Sequence, residues 1–190
     1  MDRIFTGLAE IMIYDIIDDL LPKEFNAICE NKLMNSHRWH FPPNEIGDDN
    51  PHGWENNGLV IRSYPSQDDN LFEINVLGSV ILETCIAKHS GTFSNICLER
   101  LVWNRYDRKS GCSFHQDSGS GIQSTDVLMS MIYNLNDNDG HNIIGEEKIP
   151  SKNGRCILFQ STDWHNAMPP VEYPTRLTLN AVFSYSHYIK

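Results

Sequence analysis

The sequence predicts an α+β protein, a small antiparallel barrel or jelly roll buttressed by N-terminal helices. Helical periodicity is confined to the first ninety residues. From residue 92 onward the pattern changes to five strand-like runs separated by Gly, Asn, Asp and Pro. The length of 190 residues suits one domain over 1–190, with residues 1–91 as support and 92–190 as the β core.

Taken in order, Ile11-Met12-Ile13-Tyr14 reads as a first strand. Pro22 opens a helix in which Phe25, Ile28, Cys29, Lys32 and Leu33 recur at helical spacing. Residues 41–58 are rich in Pro, Gly, Asn and Asp and read as a long loop. Leu59 to Tyr64 is a short strand. Asn70 caps a second helix, with Glu73 completing a capping box, and the helix carries Leu71, Ile74, Leu77, Val80, Ile81 and Ile86 before stopping near Ser90-Gly91. The β-like runs are Ile96 to Tyr106, Cys112 to Asp117, Asp126 to Leu135, Gly154 to Phe159 and Arg176 to Tyr185. Residues 44–57 and the Gly/Ser-rich 118–125 are expected to be the most mobile parts of the chain and to border a cleft mouth.

Composition narrows the function classes. Lys plus Arg number 15 against 25 Asp plus Glu, giving a net charge of −10 and a pI near 5.1. Such a surface repels phosphate backbones, so a nucleic-acid partner is not expected. No apolar run is long enough to span a membrane, and the N-terminus carries no basic region feeding an apolar stretch. The five scattered cysteines contain no C-x-x-C pair and read as reduced thiols, so the expected location is the cytoplasm. No pattern bears on oligomeric state.

One constellation carries chemistry. His115-Gln116-Asp117 lies in an expected strand, where residues i and i+2 share a face, so the imidazole and the carboxylate converge. His165, in Asp163-Trp164-His165-Asn166, is the best third ligand. Two histidines and one carboxylate on one face form the triad that holds non-haem Fe(II) and leaves positions open for a co-substrate and O2. The tripeptide alone is a weak signal, equally readable as a surface His beside an Asp; the surrounding pattern gives it weight.

That pattern resembles a known family. Asn104-Arg105-Tyr106, eight residues and then His115-Gln116-Asp117 are similar to the first half of the 2-oxoglutarate- and Fe(II)-dependent dioxygenase core. Gly154 to Phe159 looks like the strand that precedes the distal histidine, and Arg176 follows His165 by eleven residues in Arg176-Leu177-Thr178-Leu179-Asn180. The resemblance covers about residues 96–185. It implies a double-stranded β-helix, the jelly roll of the reading above, with His115, Asp117 and His165 as metal ligands at the catalytic centre. It implies that Arg176 binds the far carboxylate of 2-oxoglutarate, with Tyr106, Thr178 and, according to subfamily, Asn104 assisting. It further implies hydroxylation of a substrate C–H bond, with ascorbate as an accessory reductant.

Two branches of the family compete. The Asn-Arg-Tyr and His-Gln-Asp spacing is similar to the nucleic-acid dealkylases, which carry a second Arg six residues after the first; here that position is Val182. Gly145-Glu146, Pro150 to Phe159 and Pro169-Pro170-Val171 resemble the prolyl 4-hydroxylase branch, whose substrate would be a peptidyl side chain or a small molecule. The prolyl 4-hydroxylase-like reading is preferred, with the dealkylase as the alternative. A non-catalytic jelly-roll binding protein that retains the metal site is a second alternative.

Overall fold

A computed structural model describes residues 13–41, 56–65, 68, 71–89, 92–117 and 127–187. Among the described residues, two helices, α1 (Lys23–Met34) and α2 (Phe72–Lys88), accompany eleven strands. The strands are β1 (Ile13–Ile17), β2 (Asn56–Asn57), β3 (Leu59–Tyr64), β4 (Phe93–Tyr106), β5 (Ser110–Gly111), β6 (Val127–Asn134), β7 (His141–Ile144), β8 (Glu147–Pro150), β9 (Cys156–Gln160), β10 (His165–Met168) and β11 (Arg176–His187).

A large sheet in the order β1-β9-β6-β11-β4-β3, antiparallel throughout, faces a smaller sheet in the order β10-β7-β8. Strand alternation separates the two faces of the large sheet. Met129, Met131, Tyr133, Leu158, Leu101, Trp103, Leu177, Leu179, Ala181 and Phe183 pack toward the helices, against Cys29 and Leu33 of α1 and Ile81, Leu82 and Cys85 of α2. Ile132, Ile157 and Phe159 point the other way and join Ile144 and Ile149 of the small sheet. The helices therefore close one face of the large sheet, and the cleft forms on the other.

Each helix buries one face at helical spacing, although α2 also exposes the apolar Phe72, Val76 and Val80. In α1 the buried Asn26, Cys29 and Leu33 recur at three and four residues, and in α2 Ile74, Gly78, Ile81, Leu82 and Cys85 do the same. Pro22 precedes α1 at φ −58°, as its fixed ring angle favours. Asn70, the expected cap of α2, lies outside the described residues, and Leu71 stands at the cap position with no side-chain cap bond. The expected loops at 44–57 and 118–125 also lie outside them, apart from Asn56-Asn57, which pair with Ser110-Gly111. No described helix is long and apolar enough to cross a membrane.

Two expectations need correction. Cys112 to Asp117 is not a strand: its only ladder contact is the bridge between His115 and His165, with His115 N–H donating to His165 O at 3.0 Å and the reverse bond at 2.9 Å. Among the described residues no continuous partner strand runs beside it. The chain between 136 and 150, read as turn, instead contains β7 and β8. Ile144 pairs with Glu147 across a two-residue turn in which Gly145 adopts φ 57°, a conformation costly for a side chain.

Candidate metal and co-substrate site

His115, Asp117 and His165 meet, with one ligand atom from each lying within 4.8 Å of the others. His115 Nε2 is 3.9 Å from Asp117 Oδ1, His165 Nε2 is 3.5 Å from Asp117 Oδ2, and the two imidazole rings are 4.2 Å apart. His165 comes from β10 and His115 from the bridging segment, so the backbone pair that ties these two chains also sets the two rings side by side. The Asp117 and His165 side chains are buried, while that of His115 is 43% exposed and forms the open side of the site.

The two imidazoles are oriented in the same way. His115 Nδ1 lies 2.9 Å from Ser113 O and His165 Nδ1 lies 3.0 Å from Asp163 O. A carbonyl only accepts, so Nδ1 donates in both rings and Nε2 is the nitrogen left to ligate a metal once the ring is neutral. Burial lowers the pKa of His165 and favours its neutral form. His115 is held up at about 9: the lowering effect of burial is outweighed by hydrogen bonding to Cys112, by the Ser113 carbonyl and by the charge of Asp117.

Asp117 stays ionised although it is buried. Burial would raise its pKa, but His165, Arg100, Ser130 and Asn180 together bring it down to about 2. Ser130 Oγ donates to Oδ2 at 2.6 Å, Asn180 Nδ2 donates to Oδ2 at 3.0 Å, and Arg100 Nη2 donates to Oδ1. Ser130 is in turn 2.9 Å from Ser161 Oγ.

Arg176, the expected anion-binding residue, is fully buried at the start of β11. Its Nη1 donates to His141 O at 2.8 Å and Met168 O at 2.7 Å, and its Nη2 to Asn142 Oδ1 at 2.7 Å. Its Nε is buried without a partner, as is Asn142 Nδ2. The guanidinium carbon lies 5.7 Å from the centre of the Tyr106 ring, within cation–π range. Burial lowers its pKa to about 10, so it remains a cation at neutral pH. All of its hydrogen-bond partners among the described residues are neutral. A buried cation with neutral partners and a spare donor can receive an anion such as a carboxylate.

Register explains how the other expected residues join it. Tyr106 pairs with Arg176 and Asn104 with Thr178, so these four side chains stand in two adjacent rows on the cleft face of β4 and β11. Tyr106 and Thr178 are buried, and burial drives the Tyr106 hydroxyl well above its ordinary pKa, so it stays a protonated donor. Asn104 is spent on a local bond to Val102 O at 3.4 Å. Arg100, Ser130 and Asn142 were not anticipated. Their strand neighbours carry no motif, and only the register places Arg100 and Ser130 on either side of Val182. Asn180 shares the alternation of Arg176 and Thr178, and that was the one available signal.

Residues 101–184 match the model of the 2OG-Fe(II) oxygenase superfamily. No curated protein matches the chain in sequence. Among solved structures, the viral collagen prolyl hydroxylase of Paramecium bursaria Chlorella virus-1, a 2-oxoglutarate complex, aligns with TM-score 0.59 at 15% identity, covering 95% of this chain and 100% of its own. A prolyl-4-hydroxylase of Pseudomonas putida aligns with TM-score 0.58 at 12% identity, covering 90% and 92%. HygX of Streptomyces hygroscopicus, with nickel and 2-oxoglutarate bound, aligns with TM-score 0.65 at 11% identity, covering 90% and 82%. At these identities the likeness is one of fold: a double-stranded β-helix whose sheets enclose the cleft.

Proposed function

We propose that this chain, whose residues 101–184 match the model of the 2OG-Fe(II) oxygenase superfamily, hydroxylates a C–H bond of a peptidyl, prolyl-type substrate, with a small molecule as the next substrate class. The observation that carries the reading is the convergence of His115, Asp117 and His165 within 4.8 Å, in a cleft shared with a buried Arg176 whose partners are neutral.

In this reading His115, Asp117 and His165 hold Fe(II). The ion, with 2-oxoglutarate and O2, supplies the oxidising power: one oxygen atom enters the substrate as a hydroxyl, the other enters succinate, and CO2 leaves. The chain's own residues bind, orient and exclude water. Arg176 grips the far carboxylate of the keto acid, and Asn142 with the His141 and Met168 carbonyls fixes the guanidinium before the ligand arrives. Tyr106 and Thr178 offer hydroxyl donors to the same group. Ile132, Ile157 and Phe159 form a dry wall between the sheets, which limits side reactions with water. Peptidyl proline comes first because two of the fold neighbours, the viral and the Pseudomonas putida proteins, are prolyl hydroxylases.

The test is succinate release with Fe(II) and ascorbate against pools of proline-containing peptides, free amino acids and other small molecules, and methylated oligonucleotides. Stimulation by the peptide pool, lost in His115→Ala, supports the reading. Stimulation by the oligonucleotide pool alone would replace it with a dealkylase.

A further inference from the structure

We infer that Arg100, Asn180 and Ser130 are positioning residues that make Asp117 a one-point metal ligand. The inference rests on the reading of His115, Asp117 and His165 as the metal-binding set. An ionised carboxylate offers about four lone-pair sites, two on each oxygen. Ser130 Oγ and Asn180 Nδ2 occupy both sites of Oδ2, and Arg100 Nη2 occupies one site of Oδ1. One site remains, on Oδ1, for an ion shared with the two Nε2 atoms.

The three donors come from three strands that the register brings into one place. Arg100 on β4 and Ser130 on β6 are the paired neighbours of Val182 on β11, so they flank that residue from both sides. Val182 is apolar and leaves the carboxylate to its neighbours. Asn180 lies two residues away on the same face, and Arg100 Nη2 also donates to Asn180 Oδ1 at 2.9 Å. One nitrogen thus ties ligand and amide together. The β4–β11 register shifts between Val182 and Phe183, beside Arg100, and such bulges re-aim side chains near sites. Arg100 Nε is buried without a partner. Leaving a donor unsatisfied is costly, and the Nη2 contacts offset that cost. Where the dealkylase pattern places a second Arg on the Arg176 strand, this chain delivers a guanidinium from the adjacent strand at the paired position.

Two effects of Arg100 oppose each other. Its charge repels a dication, and its contact holds the carboxylate in the ligating pose. If positioning dominates, removing Arg100 weakens metal binding; if repulsion dominates, removal tightens it.

The experiment is Co(II) titration of the full chain, followed by the visible absorption bands, whose intensity reports coordination number, with circular dichroism as the folding check. His115→Ala should abolish the wild-type signal. Arg100→Gln should bind Co(II) about 10- to 100-fold more weakly, in the range for loss of a group that orients a metal ligand, with altered band intensity. Arg100→Lys, which keeps one cationic nitrogen, should stay within about threefold of wild type. Asn180→Ala, which removes both an Oδ2 donor and the anchor of Arg100, should weaken binding like Arg100→Gln and stands in for it if that variant does not fold. Unchanged or tighter binding in Arg100→Gln with unchanged bands, while His115→Ala has lost the signal, overturns the inference alone. A wild type with no Co(II) signal overturns the metal reading and the inference with it.

Discussion

Arg176 is fully buried among neutral partners, and its proposed task is to hold an anion. Its donors reach two carbonyls and one amide, and among the described residues no carboxylate is hydrogen-bonded to it. Replacing it with Ala removes a charge-assisted contact of about 1.5–3 kcal/mol, so 2-oxoglutarate affinity should fall roughly 10- to 150-fold while metal affinity stays near wild type. Calorimetric titration of each ligand checks both halves. Gly140 bears on the same side chain. A Cβ there would lie 2.8 Å from Met168 O, 2.9 Å from Arg176 Cδ and 2.9 Å from Asn138 Oδ1. Gly140→Ala must therefore shift Arg176 or the carbonyl that holds it. The expected result is several-fold weaker 2-oxoglutarate binding with an unchanged metal titration. Equal co-substrate affinity in this variant would show that the guanidinium tolerates displacement.

At the level of elements, the β1–β9 ladder is pinned where it begins. Asp18, just after β1, accepts from Arg155 Nε at 2.7 Å and Nη2 at 3.0 Å, and Arg155 precedes β9. The Arg155 bond, with help from Lys152, lowers the Asp18 pKa to about 2 from an ordinary 3.8. A depressed carboxylate contributes stability that is present above the ordinary value and lost as pH falls through the folded one, here between about 4 and 2. Asp18 is 40% exposed, so solvent screening keeps the contribution under about 1 kcal/mol. Asp18→Asn should lower the melting temperature slightly at pH 7, and the difference should vanish by pH 2. Leu33 on α1 is fully buried against the large sheet, and Leu33→Ala should cost about 2–5 kcal/mol in denaturant unfolding.

Elements also show why the sequence was readable only in places. Helices announced themselves because apolar residues at three and four spacing bury one face, and long strands because alternation persists over β4, β6 and β11. The strands β7, β8 and β10 have four residues each, too few for alternation to register, and they sit among Asn, Asp and Gly that also signal turns. The metal triad was visible because its spacing is local on one side and tied to the Arg176 strand on the other. The i, i+2 argument expected His115 and Asp117 to converge through a strand that is not there; they converge through the bridge to His165 and the donors around Asp117. Arg100 and Ser130 were invisible because nothing in the chain states that β4 and β6 both border β11.

At the scale of the whole molecule, charge and cleft act together. The chain carries −10 overall, and two of its cations, Arg100 and Arg176, are turned inward toward Asp117 and the co-substrate pocket. The remaining 13 Lys and Arg are outnumbered by 25 Asp and Glu, and each contact with a phosphate backbone would need compensation. Methylated single-stranded oligonucleotide at low salt, where such attraction is strongest, should not be demethylated. Product formation there, lost in His115→Ala, would reverse that reading. The helices shield the rear of the large sheet and the small sheet closes its front, so the metal ligands and Arg176 share one cleft.

That sharing is the central claim, and calorimetric titration of 2-oxoglutarate, with Mn(II) as an ion that does not turn over, tests it most directly. The expected result is Mn(II)-dependent binding in the wild type, no metal-dependent component in Asp117→Ala, and roughly 10- to 150-fold weaker binding in Arg176→Ala. Co-substrate binding of equal strength with and without the ion, unchanged by both substitutions, would contradict it.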